Sequence, residues 1–437
     1  MIYWEEGLLR ISDNHKYLQN GEKPFFWLGD TAWLMFQKCS QDEAYLYMKN
    51  RKDKGYNVIQ AVLIQSIPKA KSMEQAGIRL DLDTPEYWND CDAMIRAAEE
   101  LGLYIGLLPV WGSLVNEGII NLDNVESYAS FLAERYKNSP NIIWILGGDI
   151  RGSVAPELYE IFGKILKEKN PDQLVGFHPF GRTSSSLWFH EASWLDFNLF
   201  QSGHRRYDQA SLGEWDDNKV KEEFFGEDNW RYVDRDHSYD TMKPTLDGEP
   251  SYEGIPQGLH DPKEPYWEAV DVRRYAYWSV FQGAAGHTYG DNAVMQFYHD
   301  LRVAGSYGVR EVWQDAIHHE GSGHMKHLKD LMTRVDFIHG APAECLLLSG
   351  QKEKYHRISV FAGADYILCY DYLGEEFTLD LKPYEGRKLE AYWMDPVSGI
   401  YSYCMDATGM DSITVKPIRR AGSDRDWVLY MKECNEV

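Results

Sequence analysis

The sequence predicts a (β/α)8 barrel followed by an all-β sandwich. Three features carry this reading. Short apolar runs alternate with helical stretches over roughly the first 300 residues. Those runs end in Gly, Asp, Glu or His, as strands do where a parallel sheet opens to ligand. From about Pro342 the helical period disappears, and short alternating runs punctuated by Gly, Asp or Pro take over. The boundaries that follow are 1–340 for the barrel, with a short N-terminal β element, and 341–437 for the sandwich.

In chain order, Leu8–Asn20 alternates like an edge strand or hairpin, with Asn20-Gly21 as turn chemistry. Pro24–Asp30 is the first barrel strand. Ser40 and Glu43 form a capping box for a helix that ends at Gly55. Asn57–Ile64 is the second strand. Thr84-Pro85 starts a helix ending at Gly102, and Leu103–Trp111 is the third strand. Helix Asn124–Tyr136 precedes the fourth strand, Asn141–Asp149, whose five apolar residues end in Gly147-Gly148-Asp149. Helix Ala155–Lys169 leads to strands Gln173–Phe180, Trp194–Gln201 and Lys243–Glu249. Helix Asp271–Phe281 and strand Ala284–Tyr289 complete the count. The segment Gly203–Met242 reads as a long loop with one helix, its charges a solvated face. A doubly wound open sheet is the competing architecture. It wants a Gly-rich phosphate turn after the first strand, which Gly29-Asp30-Thr31 is not.

Composition narrows the function classes. A net charge of −23 opposes binding to nucleic acid or anionic lipid. No apolar run reaches the ~18 residues of a membrane span, and the start, Met1-Ile-Tyr-Trp-Glu-Glu, lacks the pattern of a signal peptide. Six scattered cysteines without metal spacing fit a reduced, cytoplasmic protein. Fifteen Trp and 29 Tyr suit stacking on sugar rings, although aromatic-rich cores explain them equally well. No cofactor is implied, and the oligomeric state is not legible.

Asp149 and Glu249 close the fourth and seventh strands, 100 positions apart. Three βα units of a barrel span a similar length, which sets the two carboxylates across the mouth from each other. Such a pair suits glycosidic cleavage, one carboxyl protonated and the other ionised. Each taken alone also reads as a helix cap or a loop ion pair. The other strand ends supply Asp30, Trp33, Trp111, His178, Gln201, His204, Tyr252, His287 and Tyr289, with Trp313 as a stacking platform or as core of the last helix. Aromatics, imidazoles and amides without a cation cluster fit a neutral polyol. His318, His319, His324 and His327 lack a matching carboxylate cluster and read as surface imidazoles, so no metal site is expected. A Gly-x-Ser-x-Gly elbow is also missing.

These residues resemble the apiosidase-like glycoside hydrolases, barrels followed by a collagen-binding-type β-sandwich. The carriers are Phe26-Trp-Leu-Gly-Asp30-Thr-Ala-Trp33, Tyr56-Asn-Val-Ile-Gln60, Trp144-Ile-Leu-Gly-Gly-Asp149, Asp247-Gly-Glu249-Pro-Ser-Tyr252-Glu and Gly283-Ala-Ala-Gly286-His287-Thr-Tyr289-Gly290. Ala391-Tyr-Trp-Met-Asp395-Pro-Val-Ser-Gly399 matches the sandwich. The resemblance implies Asp149 as acid/base and Glu249 as nucleophile of a retaining enzyme on plant-derived oligosaccharides or glycosides. Retaining barrels more commonly carry Glu where Asp149 stands. A non-catalytic carbohydrate- or matrix-binding protein is the reading from another class. Arabinofuranosidase and endo-glucanase specificities stay open.

Overall fold

The computed structural model describes residues 2–66, 85–209, 225, 227–418 and 425–434. Thr84, expected as a helix cap, lies outside them, as does 210–224 of the long loop. Eight strands form the barrel: β1 (Trp27–Thr31), β2 (Val58–Ile64), β3 (Tyr104–Val110), β4 (Ile142–Ile150), β5 (Val175–Pro179), β6 (Asn198–Phe200), β7 (Thr245–Asp247) and β8 (Gly286–Tyr289). All paired neighbours are parallel, in the order β5-β4-β3-β2-β1-β8-β7-β6. The ring closes between β5 and β6, where the Asp196 N–H donates to the Val175 carbonyl at 2.8 Å and the Asp196 carboxylate accepts from the Val175 N–H at 2.8 Å.

The larger helices between and after the strands are α1 (Gln41–Asp53), α2 (Pro85–Glu100), α3 (Val125–Tyr136), α4 (Pro156–Lys169), α5 (Trp230–His237), α6 (Ala269–Phe281) and α7 (Glu320–Arg334). The Ser40–Glu43 capping box starts α1, and Gly55 at φ +88° ends its turn. Ala44, Tyr47, Met48 and Arg51 recur on one helical face and bury against the sheet. At the N-terminal end of the barrel, an antiparallel sheet of Leu9–Ile11, Leu18–Asn20 and Lys23–Phe25 acts as a plug. Phe25 and Trp4 pack edge-on against Tyr104, whose hydroxyl takes a 2.6 Å bond from Asn20. Among the described residues no helix is long and apolar enough to cross a membrane.

One expectation about the long loop needs correction. Its helix is present as α5, but its acidic residues are not all a solvated face. Glu227 is fully buried in an ion pair with Arg274 at 2.6 Å. Asp236, also buried, accepts from Ser184, Ser186 and Thr245. Buried carboxylates survive only with such partners.

The C-terminal region is a sandwich. One antiparallel sheet runs Ala341–Pro342, Ile358–Ala362, Tyr366–Asp371, Trp427–Glu433, Leu389–Met394, Tyr401–Asp406 in spatial order. Leu347–Ser349, Phe377–Asp380 and Ser412–Val415 make the facing sheet. The Asp395 turn joins two strands, its carboxylate taking the Val397 N–H and the Ser398 hydroxyl, both at 2.8 Å. The inner face of the large sheet builds the sandwich core from Val360, Ile367, Cys369, Leu429 and Met431. Its other face, through Phe361, Leu368, Tyr370 and Val428, joins the core that contains α6.

That helix is buried from Val272 to Phe281 on every side. Tyr277 stacks on Tyr370 of the sandwich at 4.5 Å and 7°. Arg273 donates twice to Asp426, at 2.9 and 2.8 Å, with both side chains inaccessible. Removing one partner of such a pair strands the other charge in the interior, at about 3–5 kcal/mol. Arg273→Ala should therefore lower the free energy of unfolding by about that amount in denaturant titration, and Arg273→Met/Asp426→Leu should recover most of it.

Candidate active site

The C-terminal end of β4 carries the main distortion of the barrel. β4 and β5 pair Gly147 with His178 and next Ile150 with Pro179, so Gly148 and Asp149 form a bulge. Gly147, Gly148 and Asp149 all have left-handed backbone, at φ +87°, +99° and +53°. A Cβ on Gly147 would lie 2.4 Å from the His178 carbonyl, and one on Gly148 2.7 Å from the Trp111 ring. Only glycine fits there. Aspartate tolerates the left-handed region better than most residues, and the bulge turns Asp149 out into the mouth.

Glu249 stands two residues beyond the end of β7, on a bend that Gln60 secures by donating to the Gly248 carbonyl at 3.1 Å. His204 Nε2 lies 3.1 Å from Glu249 Oε1 in a hydrogen bond. His178 Nε2 lies 3.1 Å from Glu249 Oε2. His178 Nδ1 accepts the Asp149 N–H at 3.3 Å, which leaves the proton of a neutral ring on Nε2, facing Glu249. His178 thus touches the supports of both carboxylates.

The two carboxyls are driven in opposite directions. Asp149 opens to solvent yet lies deep among protein atoms. Loss of bulk water, and next the charge of Glu249, raise its pKa to about 6 against the pull of His178, His204 and the Gly181 N–H. Burial also acts to raise Glu249, but bonding and charge from His178 and His204 overcome it and lower its pKa to about 2. Near neutrality this places a readily protonated acid beside a fixed carboxylate.

Trp33, Trp111, Tyr252 and Gln201 surround this pair. Trp33 and Trp111 lie 5.2 Å apart, and 5.2 and 5.7 Å from the His178 ring. Trp33 Nε1 donates to the Tyr252 hydroxyl at 3.1 Å, and Tyr252 meets His204 edge-on at 4.9 Å. Gln201 is buried beside Gly181, with an Oε1 that has no protein partner.

Four expected site residues lie elsewhere. Asp30 follows the outward parity of β1 and is sealed behind the wall, bonded by Arg51 at 2.5 Å and Tyr47 at 2.6 Å. His287 and Tyr289 share the outward parity of β8. Burial lowers the His287 pKa to about 3, and Tyr289 donates to Glu253 at 2.5 Å. Trp313 is fully buried on Phe297, with its N–H on His299 at 3.2 Å. Conversely, Gln60, Tyr307 and His260 support or border the site without a strand-end signal to reveal them.

The histidines after β8 also need correction. His318 is exposed, but His324 is buried with Arg273 bonded to its Nδ1 at 2.8 Å. His319 bonds Asp291 at 2.6 Å and Glu311 at 2.9 Å, which, chiefly through Asp291, raises its pKa to about 9. Among the described residues His319, Asp291 and Glu253 could converge on a metal, their ligand atoms lying within 4.8 Å. Tyr289 and the Gly321 N–H occupy Glu253, while helix N–H groups and His319 occupy Asp291, so the cluster stands as an ion-pair network.

Comparison with known proteins places this geometry in a family. Residues 12–339 match the family described as "Apiosidase-like, catalytic domain", and residues 341–432 match "Putative collagen-binding domain of a collagenase". The chain matches no curated protein. A solved glycoside hydrolase is 40% identical over 99% of this chain and 98% of its own, with a TM-score of 0.91. A family 5 glycoside hydrolase from Bacteroides vulgatus is 37% identical over 99% and 95% of the two chains, with a TM-score of 0.90. With a matching family over three-quarters of its length and near-complete superposition on these two enzymes, the chain belongs to the apiosidase-like glycoside hydrolases.

Proposed function

We propose that Asp149 and Glu249 cleave a glycosidic bond by double displacement on plant-derived oligosaccharides or glycosides. What supports this is the placement of the two carboxyls at one mouth, Asp149 on the β4 bulge and Glu249 held by His204 with His178 alongside, in surroundings that draw Asp149 toward protonation and Glu249 toward ionisation. Glu249 attacks the anomeric carbon while Asp149 gives its proton to the departing oxygen. A covalent glycosyl ester forms and the C–O bond to the leaving group breaks. Asp149, now ionised, takes a proton from water, whose oxygen displaces Glu249 and frees the sugar with retained configuration. The family name points to apiosides among the substrates, with arabinofuranosides and glucans as competing specificities.

Hydrolysis of aryl apioside, arabinofuranoside, glucoside and galactoside by wild type and Glu249→Gln tests this. One substrate should turn over with retention seen by NMR, and the variant should lose several orders of magnitude in rate. Equal rates would remove Glu249 from the nucleophile role, and binding without turnover by wild type would favour a binding protein.

The pH profile follows from the two pKa values. Glu249 is ionised above about 2 and Asp149 protonated below about 6, so the working state fills the interval between them. kcat/KM should fall about tenfold per pH unit above roughly 6, as Asp149 loses its proton. Asp149→Asn should erase that limb on an aryl substrate whose leaving group needs no proton, and an unchanged limb would assign it to another group.

A further inference from the structure

One aromatic side chain near the carboxylates is carried by a loop that is held through its main chain. Tyr307 follows β8 in a connecting loop, 38% exposed, in left-handed backbone at φ +53°. A non-glycine residue in this region costs of order 1 kcal/mol or more and persists only where its surroundings impose it. They do so here through main-chain atoms. Asn292 donates to the Tyr307 carbonyl at 2.7 Å, and Tyr266 donates to the Gly308 carbonyl at 3.0 Å. Gln296 accepts the Ser306 N–H at 2.9 Å. The clamp holds the loop by its backbone.

The ring is set beside the mouth by its neighbour His260, whose loop is tied to His204. Burial is the first cause that raises the phenol pKa, and the charges of Asp149 and Glu249 are the next two. A second ring stands opposite: His260 lies 6.0 Å from Tyr307 at 39°. It follows Leu259, another left-handed residue, at φ +80°. Its loop is tied to the catalytic frame because the His204 carbonyl accepts from Gly258 N–H at 2.8 Å and Trp267 Nε1 at 3.3 Å. His204 in turn holds Glu249. Burial, with the charges of Arg205 and His204, keeps the His260 imidazole below its ordinary pKa, and so uncharged at neutral pH.

We propose that Tyr307 and His260 form the outer wall of a site for a neutral sugar ring, with Tyr307 stacking on it across the carboxylate pair. An aromatic face takes the C–H side of a sugar, while the phenol and the imidazole meet its hydroxyls. The ionised Glu249 beside this wall disfavours an acidic sugar. The proposal rests on the glycosidase reading, and its test separates the two.

The experiment measures KM and kcat for the aryl glycoside that wild type cleaves, in Tyr307→Ala, Tyr307→Phe and His260→Ala. In parallel, titration calorimetry follows binding of glucose, arabinose, apiose and glucuronate to Glu249→Gln with and without Tyr307→Ala. Loss of the Tyr307 ring should raise KM and the sugar Kd about tenfold, the size of one aromatic contact, with a smaller change in kcat. Tyr307→Phe should keep most of the affinity and His260→Ala should lose part of it. At least one neutral sugar should bind more tightly than glucuronate. Normal turnover with an unchanged KM in Tyr307→Ala overturns the wall alone, as does preference for glucuronate. Neither turnover nor sugar binding in the parent proteins overturns the glycosidase reading and the wall together. Thermal melting shows whether Tyr307→Ala is folded; if it is not, Tyr307→Phe and His260→Ala decide.

Discussion

Alternation of side chains across the barrel wall governs what reaches the mouth. In a closed parallel sheet every second residue points into the interior and its neighbours point back toward the helices. Val58, Gln60 and Val62 of β2 face inward, while Ile59, Ala61 and Leu63 pack behind. The same rule seats His178 inside and Phe177 outside on β5. A polar residue of outward parity has no water to meet, so it either is held uncharged by burial, as His287 is, or finds a partner in the layer beneath the helices. Asp30 with Arg51, and Tyr289 with Glu253, are that solution.

Within the mouth, two carboxyl groups have unequal surroundings. Both are desolvated, which alone would push both toward the protonated form. Two imidazoles converge on Glu249 and reverse the effect there, and the resulting negative charge reinforces it at Asp149. The β4 bulge makes this asymmetry geometric, because it brings Asp149 out into solvent while Glu249 stays 8% exposed between its histidines. An aspartate carried forward by a bulge offsets part of the reach that a glutamate side chain would supply. The same bulge passes its N–H to His178, so the support of one carboxyl is built into the backbone of the other.

The barrel was legible because its signals are local. Each of the eight apolar runs lies on a strand, and Ser40, Glu43 and Gly55 act as written. The site was legible where a strand end carries inward parity or bends out of the sheet, as at His178, Gln201 and Glu249. Asp30, His287 and Tyr289 misled because end position was read without parity, and Trp313 because an exposed platform and a buried core Trp share one sequence pattern. Tyr307 and His260 gave no signal, since connecting loops declare neither their path nor their neighbours. In the sandwich, no apolar alternation marks Tyr401–Asp406, because both its faces are largely exposed. The buried Glu227 was misread because its partner Arg274 lies 47 positions away.

From Val272 to Phe281 the helix α6 has no solvent face, and that changes what the C-terminal sandwich is. An appended binding module touches its catalytic neighbour through a polar seam and can be cut away or exchanged. Here the last βα repeat of the barrel finds its outer covering in the sandwich, with Tyr370 and Asp426 standing where a surface helix would present Lys or Glu to water. The border visible along the chain is therefore not a border in the core. Transplanting this sandwich onto another barrel would carry α6 with it as a foreign repeat, and a barrel deprived of it would offer Tyr277, Phe281 and Arg273 to solvent as an adhesive stripe.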